Sequence, residues 1–315
     1  MTKEDLRADL AALGVRAGDL LMLHASLRRI GLGRADVGEG GAEVLLDALA
    51  AAVGPGGTLM MVLGTDYPMA WVYEHPHEAR AALLAGSPAF DYRNAPVLAE
   101  VGWLAEALRR RPGTIVSDNP SGRFGARGRL ADALMADQPW HDYYGPGSPL
   151  EKLCAWGGRI LRMGADPDTV TALHYAEYLA GLPDKKRVSW DYMIAGEDGV
   201  PKHVWIDCLD DSAGIADWAG EDYFAMILKA YLPLGRHRQG VVGKARSELL
   251  DAADYVDFGA RWMEANLRTP AWRAIKKPRR RDEGRRGCML LAGISWTESK
   301  SAPRPRLRAA PWSSK

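Results

Sequence analysis

The chain has 315 residues, 47% of them hydrophobic and 26% charged, enough to bury a full core as one large domain or two modest ones. Its opening, MTKEDLRADLAALG, is charged and amphipathic, and no run approaches about 18 consecutive apolar residues, so neither export nor a membrane span is expected. The net charge of +1 is unevenly divided: 12 Lys/Arg against 3 Asp/Glu from Lys276 onward give +9, leaving residues 1–275 with 29 basic and 37 acidic side chains, a net of −8. An acidic body concentrates cationic small molecules where its carboxylates line a cleft.

The first segment reads as a helix with Thr2 and Asp5 at capping-box spacing that stops near Gly14, and the apolar run DLLMLHAS after it reads as a strand. A second helix and strand follow in GGAEVLLDALAAAVG and GPGGTLMMVL. Repeated units of this kind imply an α/β fold, a layered and largely buried sheet with flanking helices. Residues 64–96 are irregular and rich in aromatics, the pattern of a long functional loop. VLAEVGWLAEALRRRPG is another helix, basic in its last turn and ended by Pro112-Gly113. GSPLEKLCAWGG starts a further one, with Ser148 as N-cap, Pro149 in the first helical position and Glu151 at capping-box spacing.

RILRMG is a short strand, followed by ADPDTVTALHYAEYLAG as a helix capped by Asp168 or Thr169. Residues from about Arg187 to Trp205 alternate as paired strands around GEDG. Helices are expected near 213–233 and 250–267, with GVVGKARS between them as a strand. The α/β domain is therefore placed at residues 1–272, and 273–315, basic and without sustained periodicity, is expected to be a disordered tail.

His174 and Glu177 stand three apart in a helix, where side chains at that spacing are surface neighbours about 5–6 Å apart at Cβ. A carboxylate beside an imidazole fixes its tautomer and raises its basicity, which makes half of an acid/base device. The helix follows a strand through a turn, so fold logic puts the pair near the mouth of the sheet. In LHASLRRIG, a serine and two arginines directly after an apolar strand can converge on an anion. No Walker A or GxGxxG pattern is present, which removes support for nucleotide hydrolysis or ordinary dinucleotide binding. His75, His77, His174 and His203 lack HExxH or paired-cysteine spacing, so no metal is expected. Cys154, Cys208 and Cys288 are far apart, which argues against a disulfide framework and fits a reducing cytoplasm, and Cys154 sits on an apolar helix face as inert packing.

Three stretches in order, LLMLHASLRRIG, AAVGPGGTLMM and GSPLEKLCAWGGRILRMGADPDTVTALHYAE, resemble the aminoglycoside 3-N-acetyltransferase family, from about Leu10 to about Leu267. The resemblance implies an α/β fold distinct from the commoner acetyltransferase superfamily, acetyl-CoA as co-substrate and an aminoglycoside as acceptor, a reaction associated with antibiotic resistance. It makes His174 the general base, Glu177 its orienting partner and Thr171 a residue lining the site, and it assigns Ser26, Leu27 and Arg28 to coenzyme A. Where many members carry SxHP, this chain has Ser117, Asp118, Asn119 and Pro120, so Asn119 can donate a hydrogen bond but cannot titrate.

Such an acceptor is polycationic, and carboxylates and aromatic faces suit its ammonium groups and sugar rings. Asp66, Tyr67 and Trp71 in the long loop and Asp207, Asp210 and Asp211 in WIDCLDDSAG are the candidates, with Asn119 beside them. The reading competes with acetylation of a different amine on the same fold, with a non-catalytic binder of cationic drugs and with a metal-dependent amidohydrolase. No nucleic-acid or membrane partner is expected.

Overall fold

The computed structural model describes residues 1–33, 40–65, 69–196, 199–218 and 220–267. Among the described residues nine strands, β1 (Leu20–Ala25), β2 (Thr58–Val62), β3 (Thr114–Val116), β4 (Phe124–Gly128), β5 (Arg159–Met163), β6 (Arg187–Ala195), β7 (Pro201–Leu209), β8 (Arg238–Val242) and β9 (Ala245–Asp251), make two sheets. Seven lie in the order β3-β4-β2-β1-β5-β9-β8, and β6 and β7 pair as a separate two-stranded ribbon. The central trio β2-β1-β5 is parallel, and every pair outside it is antiparallel.

Both faces of the large sheet are covered, and the period-two alternation of strand side chains divides the core between them. Leu20 and Met22 of β1 and Ile160 of β5 join one cluster, roofed by helices Pro149–Ala155, Leu173–Leu179, Tyr223–Tyr231 and Ala252–Asn266. Leu21 and Leu23 of β1 and Leu161 and Met163 of β5 join the other, covered by helices Lys3–Leu13, Gly41–Val53 and Trp103–Arg110. The expected layered α/β architecture is what the chain adopts.

Local signals act where the sequence puts them. The Thr2 hydroxyl accepts from the Asp5 N–H and the Asp5 carboxylate accepts from the Thr2 N–H at 2.8 Å, a complete capping box. Ser148 caps its helix by accepting from the Glu151 N–H at 3.3 Å, but the Glu151 carboxylate turns away to take the Gly147 N–H and the Tyr175 hydroxyl.

Four expectations need correction. The helix that carries His174 starts only at Leu173, with Ala172 at its N-cap and no side-chain cap, because the Thr169 hydroxyl donates to the Asp166 carbonyl within the preceding turn. GVVGKARS is the bend of a hairpin rather than one strand, with β8 ending at Val242 and β9 starting at Ala245. The long loop contains a 3-10 turn, Ala70–Glu74, and a helix, His77–Ala85, which buries none of its residues and so shows no apolar stripe. The helix expected near 213–233 spans only Tyr223–Tyr231. Among the described residues no helix is long and apolar enough to cross a membrane. The expectations for Asp66 and Tyr67 and for residues 273–315 lie outside the described residues.

Candidate active site

A cavity of about 850 Å³ opens where β1, β2 and β5 end, bordered by Ala25, Val62 and Ala165. Open α/β sheets place ligands at the carboxyl ends of parallel strands, and here β2 and β5 leave β1 on opposite sides. Ser26, Leu27 and Arg28 line this cavity, and so do Thr171 and His174. Two groups of residues some 145 positions apart thus share one space.

The short helix Leu173–Leu179 puts His174 in its first turn and Glu177 one turn on, with His174 Nδ1 2.8 Å from Glu177 Oε2. Glu177 is 1% exposed, against 18% for His174, so the carboxylate is buried behind an imidazole that reaches the cavity. Its other oxygen accepts from the Tyr223 hydroxyl. Tyr223 opens the helix Tyr223–Tyr231, whose start is fixed by the Asp222 carboxylate accepting the N–H groups of Phe224 and Ala225. The Tyr144 ring stacks on His174 at 4.9 Å between centroids, and Phe224 meets it edge-on at 4.9 Å. The imidazole therefore has one orientation.

Burial pulls the His174 pKa down, but the Glu177 carboxylate, through charge and hydrogen bond, together with Asp211 and Asp222, outweighs it and leaves His174 above its ordinary 6.5. Burial also pushes Asp211 above the usual carboxylate range, while His174 and a 2.6 Å hydrogen bond from the Tyr143 hydroxyl pull it back. A carboxylate oxygen facing Nδ1 accepts from Nδ1–H, the tautomer that leaves Nε2 unprotonated in the neutral ring. His24, also on the cavity wall, is the opposite case: burial, followed by the Arg162 charge, lowers it to about 3, so it is neutral. Cys154 is pushed up to about 12 by burial, which leaves it a thiol.

Not every sequence candidate arrives at this centre. Of the acceptor candidates, Asp211 acts on His174 through its charge, which helps raise the His174 pKa, but it is not among the residues that line the cavity and its carboxylate accepts from the Tyr143 hydroxyl. Asp210 is used in a turn, accepting from the N–H groups of Ser212 and Ala213 and from the Ser212 hydroxyl. Asp207, on β7, accepts from the Ser189 hydroxyl across the ribbon. Trp71 is 43% exposed and meets His75 edge-on, away from the cavity lining. Asn119 is fully buried: its amide donates to the Pro139 carbonyl at 3.0 Å and its oxygen accepts from the N–H groups of Ser121 and Gly122. Its hydrogen-bonding capacity is used in holding a loop, and it is not among the residues that line the cavity.

Sequence reasoning missed Tyr144, Tyr223 and Phe224. They join His174 and Glu177 only through tertiary packing, and no spacing rule connects them. Among the described residues no three His, Cys, Asp or Glu side chains are grouped to hold a metal ion.

Residues 22–264 match the family model described as aminoglycoside 3-N-acetyltransferase. The chain is 39% identical over 287 residues to the aminoglycoside N(3)-acetyltransferase VII of Streptomyces paromomycinus, a match covering 85% of this chain and 93% of that one. The solved structure of AAC-IIIb in binary complex with CoASH is 36% identical, with a TM-score of 0.77 over 86% of this chain and 98% of that one. AAC-VIa bound to sisomicin is 39% identical, with a TM-score of 0.75 over 85% and 98%. Together these define an acyltransferase. The chain belongs to the aminoglycoside 3-N-acetyltransferase family.

Proposed function

We propose that this enzyme moves the acetyl group of acetyl-CoA to the 3-amino group of the 2-deoxystreptamine ring of an aminoglycoside, by direct transfer with His174 as general base. The observation that carries the reading is that His174, held by Glu177, lines the same cavity as Ser26, Leu27 and Arg28. That cavity fits the donor: about 850 Å³ is within the usual range for a ligand pocket, and Gly41 and Ala42, at the start of a 13-residue helix without a side-chain cap, border it with N–H groups suited to phosphate. Exposed Arg28 adds a cation. Bound acetyl-CoA supplies a thioester carbonyl as the acyl donor.

An aminoglycoside amine is largely protonated at neutral pH, so it must be deprotonated to attack. The ammonium first releases one proton to solvent; His174 Nε2 then accepts a second from the attacking neutral amine as the N–C bond forms and returns it to the departing sulfur as the C–S bond breaks, so the protein itself gains and loses none. Glu177 holds Nδ1–H throughout and offsets the positive charge of the imidazolium. Thr171, 9% exposed on the cavity wall, offers a hydroxyl to the oxygen on which charge grows. The Asp211 charge, felt at His174, favours an ammonium group of the acceptor in that region. Unpaired Cys154 and Cys208 suit a reducing cytoplasm.

The test is release of free thiol from acetyl-CoA with gentamicin as acceptor. The His174→Ala variant, shown folded by circular dichroism, is expected to turn over about 10²–10⁴-fold more slowly. No thiol release from the wild type with any 2-deoxystreptamine drug would overturn the acceptor and favour a different amine. An acetylated protein accumulating without acceptor would overturn direct transfer.

A further inference from the structure

A second cavity, about 540 Å³, shares Ala165 with the first but is built from different elements. Arg162 and Glu248, register partners on β5 and β9, line it from the sheet, and Leu228, Lys229 and Leu232 line it from the helix Tyr223–Tyr231 and the turn after it. Arg29, Lys244 and Arg246 complete the wall, giving five basic lining residues against one acidic.

Three of these cations already have partners. Arg29 pairs with Asp166 at 2.6 Å, Lys229 with Glu221 at 2.7 Å and Arg162 with Glu248 at 2.9 Å. Lys244 and Arg246 have no carboxylate partner among the described residues, so the cavity keeps a surplus of positive charge. Arg162 adds a second observation: it is 3% exposed, and among the described residues its Nε–H has no hydrogen-bond partner. A buried guanidinium N–H without an acceptor is costly unless something enters to accept it. The cluster is also held in place. The Lys244 N–H donates to the Ile30 carbonyl at 2.9 Å, the Gly164 N–H to the Arg246 carbonyl at 3.0 Å, and Arg29 Nη1 to the Gly164 carbonyl at 2.7 Å.

We propose that this cavity binds the phosphate group of a small phosphorylated ligand, at a site separate from the acetyl-donor cavity. Arg162, Lys244 and Arg246 supply charge-assisted donors to the phosphate oxygens. Leu228, Leu232 and Pro167 offer apolar wall to the remainder, and the volume is well beyond what a bare phosphate fills.

Isothermal titration of the full-length protein with inorganic phosphate and with pyrophosphate, at constant ionic strength, tests this. Binding is expected both in the free enzyme and in enzyme saturated with coenzyme A. The double variant Lys244→Gln/Arg246→Gln is expected to bind at least about tenfold more weakly, with unchanged melting temperature and coenzyme A affinity. Absence of binding, equal binding by the variant, or displacement of the anion by coenzyme A would each overturn the proposal, the last by assigning these cations to the donor cavity.

Discussion

His174 works between a tyrosine face and a phenylalanine edge, with one nitrogen tied to a buried carboxylate. Because Glu177, Asp211 and Asp222 together overcome the effect of burial and raise its pKa above 6.5, the base form grows in as pH rises. The pH profile of kcat/KM is therefore expected to climb through a value above 6.5. In Glu177→Gln the hydrogen-bonded carboxylate is gone and only Asp211 and Asp222 still oppose burial, so the limb is expected to move to lower pH while the plateau falls, since the ring loses its fixed tautomer. A limb that stays in place would assign the titration to another group. The same shift has a stability sign: the pair's contribution is complete below the unfolded histidine pKa and is lost as pH rises through the folded one. Urea midpoints are thus expected to decline across that window in the wild type and to be flatter in Glu177→Gln. The pair itself was legible in the sequence because helical neighbours follow from spacing alone. Tyr223, which donates to the far oxygen of Glu177 from 46 residues away, was not. Nor was the fate of Asp210 and Asn119, whose short polar side chains serve turns and loops as readily as ligands.

A strong apolar period makes an element legible in the sequence, whereas an element whose shape depends on a turn is not. β1, β2 and β5 are short apolar runs that the alternation of two cores explains. The sequence reads as one strand where the β8–β9 hairpin lies, because Gly243 and Lys244 look like an interruption of a strand rather than its reversal. Gly243 has φ of +61°, and a Cβ there would collide with the Ile30 carbonyl oxygen. Gly243→Ala is therefore expected to lower stability by about 1–3 kcal/mol, measured by urea denaturation, since both the backbone conformation and the close approach oppose it. Ser148→Ala should cost about 1 kcal/mol by removing a helix cap, even though the reciprocal half of that capping box is absent.

At the scale of the whole molecule, residues 1–275 carry −8 and the proposed acceptor is polycationic. Attraction of this kind is screened over about 8–10 Å at physiological salt, so KM for the aminoglycoside is expected to rise with added sodium chloride, while KM for a singly charged amine changes less. A salt-independent KM would remove the acidic body from the account. The family match ends at residue 264, so a chain truncated after Trp272 is expected to retain thiol release at the wild-type rate. Strand order has a different consequence, one of time. β1 pairs on one side with β2, made soon after it, but on the other with β5, whose first residue in register is Arg159 opposite Leu21. At about 5–20 residues per second of synthesis, one edge of an apolar central strand waits on the order of ten seconds for its partner. During that wait it is an open template for pairing with another chain. Substitutions that slow this late docking should therefore appear first as lost soluble yield, with specific activity unchanged in the molecules that complete the sheet.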